Sequence, residues 1–395
     1  MVRSANNRRR APPSDPIRSA LKGNTDMNAI VTVIGGGYGG STLAKALEAD
    51  TEAGVEVVLV DPKDAFVHAA GSLRALVRPD WAPNVFFPYD RLLARGRVIR
   101  DRAGSVDARG VTLASGGRVD ADYVVVATGS AYPYPAKFDT DSSAEALDRL
   151  RATHEELAGA DHVLISGAGP VGLELAGEIR SVWPDKRITL VDPRDGLLPG
   201  FAPGLRDDLA RQLDELKVEV RLGVTLTEEP PAGPGRAGTF TVGTSDGGAL
   251  TADIWFRAHG GGVHEGFLAP DLTGALTARG QLRVDGHLRV EGQERVYAIG
   301  DVTALDEAKM AGYAMQHAEV VAANILAQVR GGEPEATYTP SPIPSVLLPL
   351  GPLGGVGQFP SPDGPLVLPA ATVSAYKGHD LFTGRFAELF GTAEA

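Results

Sequence analysis

Ala29-Ile-Val-Thr-Val-Ile-Gly35-Gly-Gly37-Tyr-Gly39-Gly40 and His162-Val-Leu-Ile-Ser-Gly167-Ala-Gly169-Pro-Val-Gly172 decide the fold of this 395-residue chain. Each begins with an apolar run of strand-forming residues and turns on glycines. Each then enters a helix-forming stretch, Ser41-Thr-Leu-Ala-Lys-Ala-Leu or Leu173-Glu-Leu-Ala-Gly-Glu-Ile. Such a turn lets backbone N–H groups approach a pyrophosphate at a helix N-terminus, where the helix dipole favours an anion. A second strand follows each helix and ends in an acid suited to ribose hydroxyls. Asp61 lies 21 positions past Gly40, and Asp192 lies 20 past Gly172. A tight turn without ligand is the alternative, and strand, turn, helix and acid together argue against it. The matched spacing is duplication of one unit. One unit holds one dinucleotide, so two suggest a flavin and a nicotinamide brought together, with electrons entering as hydride.

Composition limits what such a pair can do. The chain carries 38 basic and 50 acidic side chains, a net charge of −12. Arg3, Arg8, Arg9, Arg10, Arg18 and Lys22 crowd the first 26 residues, leaving a body that is more acidic still. An acidic body disfavours nucleic acid, whose phosphates need a clustered positive face. There is no cysteine. Disulfides, thiolate catalysis and cysteine-ligated iron–sulfur or zinc centres are thereby removed, and no metal site is expected. No run of eighteen apolar residues suggests a membrane span. A cytoplasmic location is expected. Residues 1–27 read as a basic, disordered extension, or as sequence upstream of a start at Met27.

Further elements follow from pattern. Tyr123-Val-Val-Val-Ala-Thr-Gly129 reads as a buried strand ending in a turn, and 132–135 as a stiff linker. Residues 205–216 form an amphipathic helix pattern. The strand expected at 253–260 would return the chain to its first domain. A strand then ends at Gly300-Asp301, before a long helix from 310 to 329. Prolines and glycines dominate 334–369, and a short helix at 381–390 closes the chain. The expected class is α/β, with two Rossmann-like dinucleotide-binding domains and a small C-terminal domain. Residues 28–136 and 262–331 would form the FAD-binding domain, split around an NAD(P)H-binding domain at 137–261. Residues 332–395 would form the C-terminal domain.

By itself, Gly300-Asp301 reads equally as a helix N-cap. Coupled to two dinucleotide units, it resembles the second flavin fingerprint of the two-dinucleotide-domain flavoprotein reductases. Asp64-Ala-Phe-Val-His-Ala-Ala-Gly-Ser-Leu-Arg-Ala75, Thr128-Gly-Ser-Ala-Tyr-Pro-Tyr-Pro-Ala-Lys-Phe138 and Lys309-Met-Ala-Gly-Tyr-Ala narrow the likeness. Together they resemble the apoptosis-inducing-factor-like reductases. Within these the chain is most similar to the ferroptosis-suppressor subgroup, NAD(P)H:quinone oxidoreductases related to type II NADH dehydrogenases. The tail Tyr376-Lys-Gly-His-Asp-Leu-Phe382 shares the resemblance, which spans about 28–395.

The resemblance implies FAD as cofactor and NADH or NADPH as co-substrate. It places Gly35, Gly37, Gly40, Asp61, His68, Arg74, Thr128, Gly129, Gly300, Asp301, Met310 and Ala311 at the flavin nucleotide. It places Gly167, Gly169, Gly172 and Asp192 at the nicotinamide nucleotide. Glu174 would face the gap where nicotinamide meets flavin, and Lys377 the quinone side; both are the expected catalytic residues. As simpler accounts, Glu174 could serve the helix N-terminus, Lys377 be solvated, His68 pack in a loop and His317 pack in the long helix. Asp192 favours NADH by repelling a 2′-phosphate, whereas Arg194 could accept one.

Three departures stand out. Met1-Val2-Arg3 lacks the glycine that N-myristoylation needs, so that anchor is not expected. Ala258-His259-Gly260 stands where a Thr-Gly turn is usual. The 68–75 segment has no redox cysteines, so electrons must pass directly from flavin to a small acceptor. A quinone is the expected acceptor. Leu381, Phe382, Phe386, Leu389 and Phe390 could be core, or could line a quinone entrance or touch a membrane surface. The alternatives are a ferredoxin- or rubredoxin-type electron-transfer reductase, or a redox-switched binding protein with little turnover. A flavin monooxygenase is disfavoured, because no Phe-x-Gly-x-x-x-His motif lies between the fingerprints.

Overall fold

The strands named by the two fingerprints sit at the centres of two separate parallel sheets. A computed structural model describes residues 28–264 and 266–393; the basic extension of 1–27 lies outside the described residues. The first sheet has the order Val296–Ala298, Tyr123–Val126, Ala29–Ile34, Val55–Asp61 and Arg97–Arg100. Val31, Val33, Val57 to Leu59 and Val124 to Val126 are almost fully buried, as strands covered on both faces require. The second sheet runs Val218–Leu222, Arg187–Asp192, His162–Ser166 and Ile254–Arg257, all parallel. The architecture is α/β, and the first sheet draws its strands from both sides of the second.

The strand near 254 departs from expectation. Ile254–Arg257 stays in the second sheet, its Val163↔Ile254 register burying Ile254, Trp255 and Phe256. The return is made instead by Gly262–Val263, antiparallel to the outgoing Ser130–Ala131. Outward and return chains therefore cross side by side.

Helices Tyr38–Ala49 and Ala311–Val329 cover one face of the first sheet. Gly39 lets them meet closely, since a Cβ there would stand 3.1 Å from the Ala314 carbonyl oxygen. The long helix matches its expected span, and the amphipathic one forms as Pro203–Glu215. The Pro/Gly-rich tail folds as an antiparallel sheet of Val346–Leu350, Gly354–Ser361 and Gly364–Leu368. It packs against the second nucleotide unit. Gln212 donates to the Gly355 carbonyl (2.8 Å) and accepts from the Gly355 amide (2.7 Å). The C-terminal helix begins later than expected, at Thr383–Leu389, because Leu381 and Phe382 adopt left-handed backbone. Its apolar stripe is mostly core: Phe386 and Phe390 stack on Phe66, at 5.3 and 4.8 Å. Of the stripe's residues, Phe382 is exposed, at 37%, and Leu389 is partly buried. Among the described residues, no helix is long and apolar enough to cross a membrane.

Helix Pro170–Val182 meets the tail sheet backbone to backbone at Gly177, where a Cβ would lie 2.5 Å from Leu350 Cα. Gly177→Ala is expected to cost about 1–3 kcal/mol by overpacking. Gly159→Ala, where a Cβ meets nothing within 4 Å, should be neutral or slightly stabilising. Denaturant unfolding of both variants checks this; equal stabilities would contradict the close docking.

Candidate active site

The duplication extends to individual atoms. Gly35 and Gly167 take φ of +106° and +115°, and a Cβ on either would stand 2.5 Å from a carbonyl oxygen, of Ala127 or Ala258. Only glycine tolerates both constraints. At Gly40 and Gly172 a Cβ would lie 1.9 Å from the carbonyl oxygen of Gly35 or Gly167, so each helix starts against its own turn. The strand-end acids close the turns. Asp61 accepts from the Gly36 amide (2.6 Å) and the Lys63 amide (2.9 Å). Asp192 accepts from the Ala168 amide (2.8 Å) and the Arg194 amide (2.9 Å). Burial pushes the Asp61 carboxyl above its usual range, with those amide donors pulling it back. This bracing of the turn is a role that spacing alone did not reveal.

The faces a dinucleotide would use are open. A Cβ at Gly37, Gly129 or Gly169 meets nothing within 4 Å. Helix Tyr38–Ala49 has no side-chain cap at Gly37, nor has Pro170–Val182 at Gly169, so their first N–H groups remain available to an anion. Thr128 Oγ1 is buried without a partner, an arrangement that ordinarily signals a missing ligand or water. These features fit FAD at the first turn and NAD(P)H at the second.

Gly300-Asp301 lies beside the first turn. Gly300 has φ +74°, and its amide donates to His317 Nδ1 at 3.0 Å. His317 Nε2 stands 2.8 Å from Glu307 Oε1, and Tyr338 donates to the other oxygen of Glu307. His317 thus packs, as the simpler reading has it, while bracing the Asp301 turn. Asp301 accepts from Ser130 Oγ (2.5 Å), and Lys137 Nζ stands 4.0 Å away. Ser130 and Lys137 fall inside the quoted 128–138 motif but were not singled out. Burial lowers the Lys137 ammonium from its usual range, Asp301 opposing. Met310 precedes the first residue of helix Ala311–Val329, with both residues only partly buried.

Glu174 and Lys377, 203 residues apart, meet. Lys377 Nζ donates to Glu174 Oε1 at 2.8 Å and to the Leu347 carbonyl at 2.9 Å, with side chains 16% and 12% exposed for Lys377 and Glu174. The pair links the second turn of helix Pro170–Val182 to the π-helical turn Ser374–Gly378. Glu174 is therefore more than a helix-dipole acid, and Lys377 is not solvated.

His68 and Arg74 are both buried. His68 is 1% exposed. Its Nδ1 pairs with the Tyr38 hydroxyl (2.9 Å) and its Nε2 with the Leu381 carbonyl (2.8 Å). The Leu381 carbonyl requires Nε2–H, and with the ring kept neutral by burial Nδ1 accepts from the Tyr38 hydroxyl. Arg74, 1% exposed, is engaged with Glu178 and two C-terminal carbonyls. Helix Ala69–Val77, which carries Arg74, and helix Ser143–Gly159 escaped the sequence reading. Ser142 and Glu145, an N-cap and its partner three residues on, are the signal that could have revealed the second.

Burial pushes the His68 imidazole from 6.5 down to about 4, with the Leu381 carbonyl opposing. The unfolded chain then binds the extra proton between these values, so stability is full above pH 6.5 and falls toward pH 4. The loss should reach about 3 kcal/mol. His68→Gln should flatten that slope in unfolding measured across the window; an unchanged slope would contradict the assignment.

Known proteins share this design. Residues 29–323 match the family model "Pyridine nucleotide-disulphide oxidoreductase". Apoptosis-inducing factor homolog B of Dictyostelium discoideum is 30% identical, covering 90% of this chain and 95% of its own. Human ferroptosis suppressor protein 1 is 30% identical over 83% of this chain and 88% of its own. The sulfide:quinone oxidoreductase of Aquifex aeolicus has the same fold, with a TM-score of 0.67 at 18% identity, over 93% of this chain and 96% of that one. With both nucleotide turns built and its relatives in view, the chain belongs to the pyridine nucleotide-disulphide oxidoreductase family, as a cysteine-free FAD- and NAD(P)H-dependent oxidoreductase akin to apoptosis-inducing factor homologues and ferroptosis suppressor protein 1.

Proposed function

We propose that the chain is an NAD(P)H:quinone oxidoreductase whose flavin passes electrons directly to the acceptor. The observation that carries this reading is the Lys377–Glu174 pair at the second nucleotide helix, in a sequence without cysteine. We assign FAD to residues 28–136 and 262–331, NAD(P)H to 137–261, and a small C-terminal domain to 332–395.

Bound FAD supplies the two-electron chemistry, taking hydride from NAD(P)H and returning electrons to the acceptor. The chain supplies position and charge. Gly35, Gly37, Gly40 and Thr128-Gly129 bind the first dinucleotide, with Asp61 and Asp301 holding its hydroxyls. Met310 and Ala311 direct helix N–H groups at the flavin edge. Gly167, Gly169 and Gly172 receive the second dinucleotide, and Asp192 favours NADH over NADPH. Glu174 orients the nicotinamide and accepts from the Lys377 ammonium, which holds the proton the pair can pass on. Lys377 also offers positive charge to an acceptor oxygen as it gains electrons. Tyr376 and Phe382, 63% and 37% exposed on either side of Lys377 in sequence, suit a flat apolar acceptor. His68 and Arg74 support the site from behind. The acidic body makes an encounter with an acidic iron–sulfur protein less favourable. A cytoplasmic or membrane-peripheral location is compatible with this reading.

Anaerobic mixing of the holoprotein with NADH, followed by a water-soluble quinone, tests it. The flavin colour should bleach and return only when quinone is added. Glu174→Gln should slow one half-reaction by about 10²-fold. Bleaching that ferredoxin but not quinone reverses would overturn the quinone reading. Unchanged half-reactions in Glu174→Gln would return that residue to a structural role.

A further inference from the structure

Arg74 projects from helix Ala69–Val77 into the junction of all three parts of the molecule. Its Nε and Nη2 both donate to Glu178 Oε1, at 3.0 and 2.6 Å. Nη2 also reaches the Gly378 carbonyl at 2.7 Å, and Nη1 the His379 carbonyl at 2.9 Å. The Trp81 ring lies beneath the guanidinium, 5.0 Å from its carbon. Arg74 and Glu178 are 1% and 4% exposed. Only a planar fork of donors serves one carboxylate and two carbonyls at once, and lysine offers a single point.

The two carbonyls directly follow Lys377 in the chain. Glu178 lies four residues after Glu174, on the same face of helix Pro170–Val182. Two cations thus meet two carboxylates one turn apart: Lys377 on Glu174, and Arg74 on Glu178. The backbone between them is specialised. Residues Ser374–Gly378 form a π-helical turn, a rare conformation frequent at functional sites. Gly378 admits no Cβ, which would stand 2.9 Å from the Pro352 carbonyl oxygen. Leu381 and Phe382 hold φ of +54° and +63°, strain that persists only where neighbours enforce it. His68 holds the Leu381 carbonyl, and the Leu381 amide donates to the Lys377 carbonyl at 2.7 Å.

We propose that Arg74 is a positioning residue: by gripping Glu178 and the carbonyls of Gly378 and His379, it sets the Lys377 ammonium against Glu174. This rests on the reading of Glu174 and Lys377 as the reacting pair. The resemblance had placed Arg74 at the flavin; here its donors go to the junction.

Competitive acetylation of the protein, without and with FAD, followed by mass spectrometry, reads the Lys377 ammonium directly. Arg74→Lys keeps the charge beside Glu178 and so protects folding; Arg74→Met/Glu178→Met removes both buried charges together and serves as the second variant. Each should raise Lys377 acetylation at least fivefold, as Glu174→Gln should, leaving Lys45, bonded to the Leu92 carbonyl, unchanged. Unaltered Lys377 acetylation in the folded variants overturns the proposal. In half-reaction kinetics, Arg74→Lys should slow turnover in the native background and add nothing to Lys377→Met. Additive losses overturn the positioning role alone. Unchanged half-reactions in Lys377→Met overturn the underlying reading of the reacting pair.

Discussion

Helix Pro170–Val182 carries two carboxylates one turn apart, and each is bound to a cation from a different part of the chain. That double pairing holds the three parts together. Arg74 reaches Glu178 from the first unit, and Lys377 reaches Glu174 from the tail. Both contacts exclude most water, so the charges interact strongly and neither partner is easily removed alone. Breaking a buried pair such as Arg74–Glu178 costs on the order of 3–5 kcal/mol, largely by leaving the other charge unpaired. The close backbone approach at Gly177 works in the same place. The tail sheet is held by geometry and charge at this helix, and Gln212 of helix Pro203–Glu215 adds two hydrogen bonds to Gly355.

Behind this junction, each nucleotide unit is self-braced. Asp61 and Asp192 bind the amides of their own glycine turns, so each turn is held in shape by its own strand-end acid. The third brace, His317 under Gly300, fixes the Asp301 turn from within the long helix. The bracing of both glycine turns is consequently a property of the core.

Much of this was legible in the sequence. Apolar strands, glycine spacing and strand-end acids are local signals, and they placed the strands at 29–34 and 162–166, the long helix and the split first sheet. The strand at 254–257 falls in the unit expected at 137–261, but the return to the first unit was attributed to it, because an apolar run states that it is buried, not where the chain goes next. Long-range pairing was harder. Glu174 and Lys377 were each singled out through resemblance, but nothing local shows that they touch. Glu178 carried no signal of its own and Arg74 was placed at the flavin by resemblance, because ion pairing across 104 residues leaves no periodic trace. The left-handed backbone at Leu381 and Phe382 was hidden for the same reason: tertiary contacts impose it on residues that do not prefer it.

The central claim is that flavin is this chain's single redox centre and hands electrons straight to the acceptor. Anaerobic titration of the FAD-loaded protein with NADH tests it most directly, by counting equivalents against loss of the visible flavin absorbance. A cysteine-free protein should be fully bleached by one NADH per flavin, with no further uptake. Uptake of a second equivalent per flavin would reveal another electron store and contradict the account.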